Sequence, residues 1–215
     1  MMNNLEISVI ISAFNHERWI ERTIRSLLHQ EFINLNDFEI IIVDDHSSDN
    51  TNIILSKYKE FENIKIINNK KNLGLPASIN KAIVSSYGRY IVRVDSDDYV
   101  SRKFLFILKY FLEQNREYQG VACDYFIVNH NEELIRRVKH SEEEIACGIM
   151  FRRECLFDLG LYNTNFAMRE GHEIMQRFKK KFKLAYLELP LYKYRSHNDN
   201  RSKNLNELKR FNDKL

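Results

Sequence analysis

The chain has 215 residues, a formal net charge of +3, 44% hydrophobic and 29% charged residues. This globular composition suits one domain, or one domain with a small appendage, and excludes a disordered chain. So small a positive excess gives no ground for a nucleic-acid partner.

Ile7 to Ile11 is a β-branched run that predicts a buried strand, ending at Ser12-Ala13-Phe14-Asn15. Trp19, Ile20, Ile24, Leu27 and Leu28 recur at helical spacing and predict a helix over about 16–30, with Trp19 packing it onto the sheet. Glu39 to Val43 predicts a second strand, stopping at the polar run Asp44 to Asp49. Asp49 or Asn50 is placed to cap a helix carrying Ile53, Ile54 and Tyr58. Ile64 to Ile67 predicts a third strand, followed by a polar loop from Asn68 to Gly74. Pro76 suits the first helical position, and the helix is expected to run to about Tyr87, where Gly88 would end it. Tyr90 to Val94 predicts a fourth strand, which runs into Asp95-Ser96-Asp97-Asp98.

Four alternations of strand and helix predict a parallel sheet with helices on both faces. The later pattern differs. Phe104, Leu105, Leu108, Phe111 and Leu112 mark a helix, and Val121 to Val128 with Leu134 to Val138 read as a hairpin. Gly148 to Phe151 reads as a strand, and helices are expected at about 153–159 and 170–181. Two short strands broken by Pro190 follow, Leu184 to Leu187 and Leu191 to Tyr194. The tail from Arg201 predicts a helix with Leu205, Leu208 and Phe211 inward.

Carboxylates packed as closely as Asp95, Asp97 and Asp98 repel one another unless a cation lies between them. At the carboxyl end of a buried strand the cluster reads as a divalent metal site, its hard oxygens favouring Mg²⁺ or Mn²⁺. On these residues alone, a solvated turn capping the next helix is the other reading. The loops Ser12 to Asn15, Asp44 to Asp49 and Asp95 to Asp98 follow parallel strands and are expected around one shared cleft. A nucleotidyltransferase on a similar sheet would carry a glycine-rich basic loop after the first strand, and Ser12 to His16 has neither feature.

Taken together, these blocks resemble glycosyltransferase family 2, the inverting enzymes of GT-A fold. Ile7 to Asn15 is similar to its VSVIIPAYN strand, Glu39 to Thr51 to its EIIVVDDGSTDGT block, and Asn72-Leu73-Gly74 with Asn80 to Ile83 to its N-x-G segment. Arg93 to Asp98 resembles its DxDD strand end, and Gly148 to Gly160 the stretch before its acceptor helix. The resemblance implies one GT-A domain over 1–215: a Rossmann-like, mostly parallel α/β sheet with a small C-terminal α+β region. Residues 1–100 would bind the nucleotide sugar, and 101–215 the acceptor.

It also implies roles. Asp97 and Asp95 would hold the metal and touch the donor ribose, with Ser96 in the same donor loop and Asp98 in support. Asp45 would accept from the nucleobase, and Ser12, Phe14 and Asn15 would line the base pocket. Phe14 replaces the family's usual Tyr. Lys71 would face donor phosphate. In the Tyr194-Arg195-Ser196-His197 segment, His197 would ligate the metal or contact diphosphate, with Arg195 or Arg201 on phosphate. The family's general base is the Asp of an E-D-x-x-x-x-x-R run; aligning Glu170 and Arg177 puts Gly171 at that position. The base therefore falls to Glu170, His172 or Glu173, or the protein binds donor without transferring it. The donor would be UDP- or dTDP-linked and the acceptor a glycan, a lipid-linked glycan or a protein.

The remaining residues carry plainer expectations. His16, His29, His130 and His140 are expected at the surface, and Cys123, Cys147 and Cys155 as reduced, buried thiols. No apolar run approaches the ~20 residues of a bilayer span, and Met1 to Glu6 lacks the form of a secretory leader. A cytoplasmic protein is expected, with Lys179 to Lys181 as a possible peripheral contact to the inner membrane face.

Overall fold

The computed structural model describes residues 5–198 and residue 200. The strands are β1 (Ile7–Ala13), β2 (Phe38–Asp44), β3 (Ile64–Asn68), β4 (Tyr90–Arg93), β5 (Tyr99–Val100), β6 (Gly120–Val128), β7 (Leu134–Val138), β8 (Ile149–Arg152) and β9 (Leu184–Arg195). The helices are α1 (Ile20–Leu28), α2 (Thr51–Ser56), α3 (Leu75–Val84), α4 (Phe104–Gln114), α5 (Arg153–Asp158) and α6 (Glu170–Lys181). Among the described residues the strands form one sheet in the order β3-β2-β1-β4-β8-β6-β9-β5, with β7 on β6. The first four strands are mutually parallel. Beyond β4 the pairing is mixed: β8 is antiparallel to β4 and β6, while β9 is parallel to β6.

Side chains alternate across a strand, and that period divides the interior in two. Ile7, Val9 and Ile11 of β1, Ile40 and Ile42 of β2, and Tyr90 and Val92 of β4 pack with α1, α2 and α4. Ile10, Ile41 and Ile91, on the opposite face, pack with α3, α5 and α6. Both faces are covered, so β1 and β2 read as near-continuous apolar runs. Each fully buried large aliphatic side chain contributes about 1.5–3 kcal/mol.

Several boundaries differ from the periodicity. The first helix begins at Ile20 because the N–H groups of His16 and Glu17 are drawn to Thr51 Oγ1 (2.9 Å) and Asp49 Oδ2 (3.0 Å). The third ends at Val84, not near Gly88. Gly88 serves another purpose: a Cβ there would stand 2.4 Å from the Ser8 nitrogen, so the backbone crosses β1 where only glycine fits. β9 is one strand where two were expected. Pro190, which has no N–H to donate, sits at a register shift against Asp124. The short β5 was not foreseen. The expected tail helix, with Leu205, Leu208 and Phe211, lies outside the described residues.

Candidate active site

The carboxyl ends of β1, β2 and β4 open into a cavity of about 1080 Å³. Ser12, Phe14, Asn15, Asp45, Asp95, Ser96, Asp97, Glu170, His172 and His197 all line it. The chain-distant loops thus share one hollow.

Asp45 is only 2% exposed. Its Oδ1 accepts from the Leu73 N–H and the Asn69 amide, both at 2.8 Å, and its Oδ2 accepts from the Gly74 N–H at 2.8 Å. The carboxylate ties the loop after β3 to the end of β2 and leaves Oδ2 the less saturated oxygen. Asp44, beside it, receives the Ser47 hydroxyl at 2.5 Å and shapes its own turn. Asn15 sits at φ 56. Its amide oxygen takes the Ser48 N–H at 2.8 Å, joining the loops after β1 and β2. Asp49 accepts from Thr51 N–H at 2.9 Å as well as from Glu17, so it organises the start of α2. Phe14 is 44% exposed and presents an open ring face.

The Asp95–Asp98 run divides into three environments. Arg93, buried in β4, grips Asp95 with two nitrogens at 2.7 and 3.2 Å and Glu170 with a third at 3.0 Å. Burial alone would lower the Arg93 pKa, but the carboxylates of Asp95 and Glu170 outweigh it and hold the guanidinium charged. Asp97 Oδ2 lies 3.0 Å from His197 Nε2. Burial pushes the Asp97 carboxyl up, yet the His197 hydrogen bond and the nearby His16 and His197 rings more than offset this, leaving it below the usual range. Asp98 is buried, accepting the Tyr192 hydroxyl and the Arg195 N–H, each at 2.7 Å. Burial, then the charges of Asp97 and Asp95, drive it well above the usual range. It is an internal acid enclosed by Tyr192 and Arg195, and the solvated-turn reading of the run is set aside.

Asp95, Asp97 and His197 were expected to hold a metal together. Asp97 and His197 do form a pair on the cavity wall. Asp95 falls instead with Asp98 and Cys147, whose ligand atoms lie within 4.8 Å of one another. That second group fits a hard cation poorly. Asp95 is held by Arg93, Asp98 by Tyr192 and Arg195, and burial with the Asp95 and Asp98 charges pushes the Cys147 thiol well up. Of the Asp97–His197 pair, the Asp97 carboxylate is the hard oxygen donor that Mn²⁺ or Mg²⁺ accepts.

Glu170 is buried and its Oε1 is held by the same Arg93 guanidinium that grips Asp95. His172 Nε2 accepts from Arg169 at 2.9 Å. Burial, then the Arg169 charge, lower the His172 pKa, so the ring is neutral at neutral pH. Gly171 packs against Ala146; a Cβ at Gly171 would meet Ala146 Cβ at 2.0 Å. Glu173 does not reach the cavity. Arg177 chelates its carboxylate at 2.6 and 2.7 Å one turn along α6. Lys71 is exposed and off the cavity wall, and Arg201 lies outside the described residues.

Other residues belong here that periodicity did not mark. Arg93 could have been suspected, since a charge inside an apolar strand needs a partner. His16 is no surface histidine: it lines the cavity, with Nδ1 2.5 Å from Ser96 Oγ. Trp19 also lines it, ring to ring with His197 at 5.3 Å, and does not serve as plain packing. His140 is buried as well, its Nε2 3.1 Å from the Ile145 carbonyl of the loop before β8. The cysteines are free and buried as expected. Lys179 pairs with Glu144, and Lys181 with Asp158 at 2.5 Å. Among the described residues no helix is long and apolar enough to cross a membrane.

A parallel strand set that delivers acidic loops and an Asp-x-Asp-Asp run into one cleft, followed by a mixed-sheet extension, is the GT-A architecture of glycosyltransferases. The sequence model of glycosyl transferase family 2 matches residues 8–182, and the chain belongs to that family of enzymes. It is 31% identical over 214 residues to EpsE of Bacillus subtilis, covering 93% of this chain and 76% of that protein. Crystalline S. aureus TarS 1–349 in complex with UDP shares the fold at a TM-score of 0.76 and 22% identity, over 89% of this chain and 61% of that one. The mannosyltransferase PcManGT of Pyrobaculum calidifontis, in complex with GDP-Man and Mn²⁺, does so at 0.72 and 16%, over 93% and 59%. This chain thus spans about three-fifths of the two solved chains.

Proposed function

We propose that the protein is an inverting glycosyltransferase. It would move a sugar from a nucleotide-diphosphate donor, UDP- or dTDP-linked, to a glycan, lipid-linked or protein acceptor with Mg²⁺ or Mn²⁺. The observation that carries this reading is that Asp45, Asp97 and His197 line one cavity although they come from three distant parts of the chain. The TarS structures with UDP and with UDP-GlcNAc, and the name of TarS, a poly(ribitol-phosphate) β-N-acetylglucosaminyltransferase, favour a UDP-linked donor and a polymeric acceptor.

In this reading Phe14 covers one face of the nucleobase, and Asp45 Oδ2, the less saturated oxygen, accepts a base N–H. Ser12, Asn15 and Ser96 shape the pocket, and Asp95 meets the ribose while Arg93 fixes its direction. A divalent cation held by Asp97 and His197 would supply charge neutralisation for the departing diphosphate. Glu170 is the preferred general base because it is the cavity carboxylate next to the position of the family's base; His172, also in the cavity, is the other candidate. Calorimetry with UDP and Mn²⁺ tests the donor site: metal-dependent binding that survives D97A would remove its basis. E170Q at wild-type turnover would move the base to His172.

A second reading, a donor-binding protein that performs no transfer, is favoured by Gly171, where Ala146 fills the space of the family's carboxylate. Normal metal-dependent UDP binding without transfer or donor hydrolysis across a broad acceptor panel would select it.

A further inference from the structure

The largest fully buried side chain is Arg195. The family resemblance offered it to phosphate, but it does not line the cavity. Its Nε donates to the Asp97 carbonyl at 2.9 Å, and its NH2 reaches Glu132 Oε1 at 3.2 Å. Its guanidinium carbon lies 4.6 Å from the Trp19 ring centre and 5.2 Å from that of Tyr99. Its backbone N–H holds Asp98 Oδ1, and its carbonyl receives the Asn200 amide at 3.0 Å. Asn200 Oδ1 in turn accepts the His197 N–H at 2.6 Å. One residue therefore touches the backbone that carries Asp97, the ring stacked on His197, and the amide that seats His197.

A guanidinium buried this deeply needs a carboxylate, and Glu132 supplies it from outside the site. Glu132 stands in the β6–β7 turn at φ 66, the left-handed region that a side-chain-bearing residue enters at a cost of about 1 kcal/mol. That turn delivers the carboxylate to Arg195 and to Arg22, whose Nε lies 3.0 and 3.1 Å from its two oxygens. Arg22 covers the Tyr99 ring at 4.1 Å.

We infer that Glu132 is a positioning residue: through Arg195 it holds Asp97 and His197 at gripping distance, so the β6–β7 hairpin, remote from the donor, sets the geometry of the diphosphate end of the site. The inference rests on the role proposed above for Asp97 and His197. It predicts that loss of the Glu132 charge loosens both residues and leaves the nucleobase end, organised by Asp45, intact.

Trp19 is the single tryptophan of the chain, so its fluorescence reports the stack without ligand or metal. In E132Q, Trp19 emission and its quenching by acrylamide are expected to change in the metal-free protein. The gain in UDP affinity on adding Mn²⁺ should fall roughly tenfold, as for other residues that orient metal ligands, while metal-free UDP binding stays within about twofold. Unchanged Trp19 emission with an unchanged Mn²⁺ effect overturns the inference. So does an equal loss of UDP affinity with and without Mn²⁺, the mark of a merely structural role. Should E132Q fail to melt cooperatively, E132D is read by the same criteria. A wild-type protein whose UDP binding ignores Mn²⁺ defeats the metal reading instead, and Trp19 emission in E132Q then decides the positioning role alone.

Discussion

Replacing Gly171 by alanine drives a methyl group into Ala146, where the new Cβ would lie 2.0 Å from one carbon and 3.0 Å from another. Overpacking of this kind costs about 1–3 kcal/mol. Exchanging a helical glycine for alanine returns up to about 1 kcal/mol, so on full return the single variant should lose about 0–2 kcal/mol net. A146G removes the nearer atom and leaves only the 3.0 Å contact, which a shift of a few tenths of an ångström relieves. In that background G171A should be neutral or mildly stabilising. The helix-propensity gain is common to both backgrounds and cancels in a double-mutant cycle, leaving a coupling energy of about 1–3 kcal/mol. Urea unfolding of the four proteins measures it. A coupling below about 0.5 kcal/mol, the range of independent sites, would refute the steric account of why this chain carries no carboxylate at position 171.

Three further outcomes are expected. D45A takes the acceptor from the Leu73 N–H and leaves the Gly74 N–H and the Asn69 amide only their second acceptors, Asn72 and Ser78; it should cost about 1–3 kcal/mol in chemical denaturation and abolish UDP binding in calorimetry. E173Q breaks only the pair with Arg177, so it should cost no more than about 1 kcal/mol and leave turnover at the wild-type level. A large loss of turnover would return Glu173 to the list of bases. Asp98 tests the electrostatics: its folded pKa lies above the ordinary 3.8, so its stabilising proton is fully present below that value and lost as pH rises through the folded one. D98N stays neutral throughout. Its unfolding free energy relative to wild type should therefore rise as pH climbs above about 4, and a difference independent of pH would show that folding does not raise the Asp98 pKa.

Much of the donor half was legible in the chain because its signals are local. Buried parallel strands read as near-continuous apolar runs, and Ile7 to Ile11 (interrupted only by Ser8), Ile40 to Val43 and Tyr90 to Val92 display them. Parallel strands also bring their carboxyl ends to one edge, which placed Ser12, Asp45 and Asp97 together before any coordinate was known. Boundaries were less legible where a remote group competes for the backbone: Asp49 and Thr51 take the N–H groups of His16 and Glu17, and α1 starts late.

The sequence by itself determined the fold of the first half, the edge at which the acidic loops meet, and the presence of Gly171 where a carboxylate was expected. Only the tertiary structure decided how the neighbouring carboxylates differ: Asp95 clamped by Arg93, Asp97 paired with His197, Asp98 enclosed by Tyr192 and Arg195. It also decided that Glu173 turns away while Trp19 and His16 turn toward the site, with Arg195 buried behind it. The reason is physical. Strand periodicity fixes the face on which a side chain emerges, but its ionisation and orientation depend on the charges and dipoles that distant segments bring within a few ångströms, and spacing along the chain does not encode those.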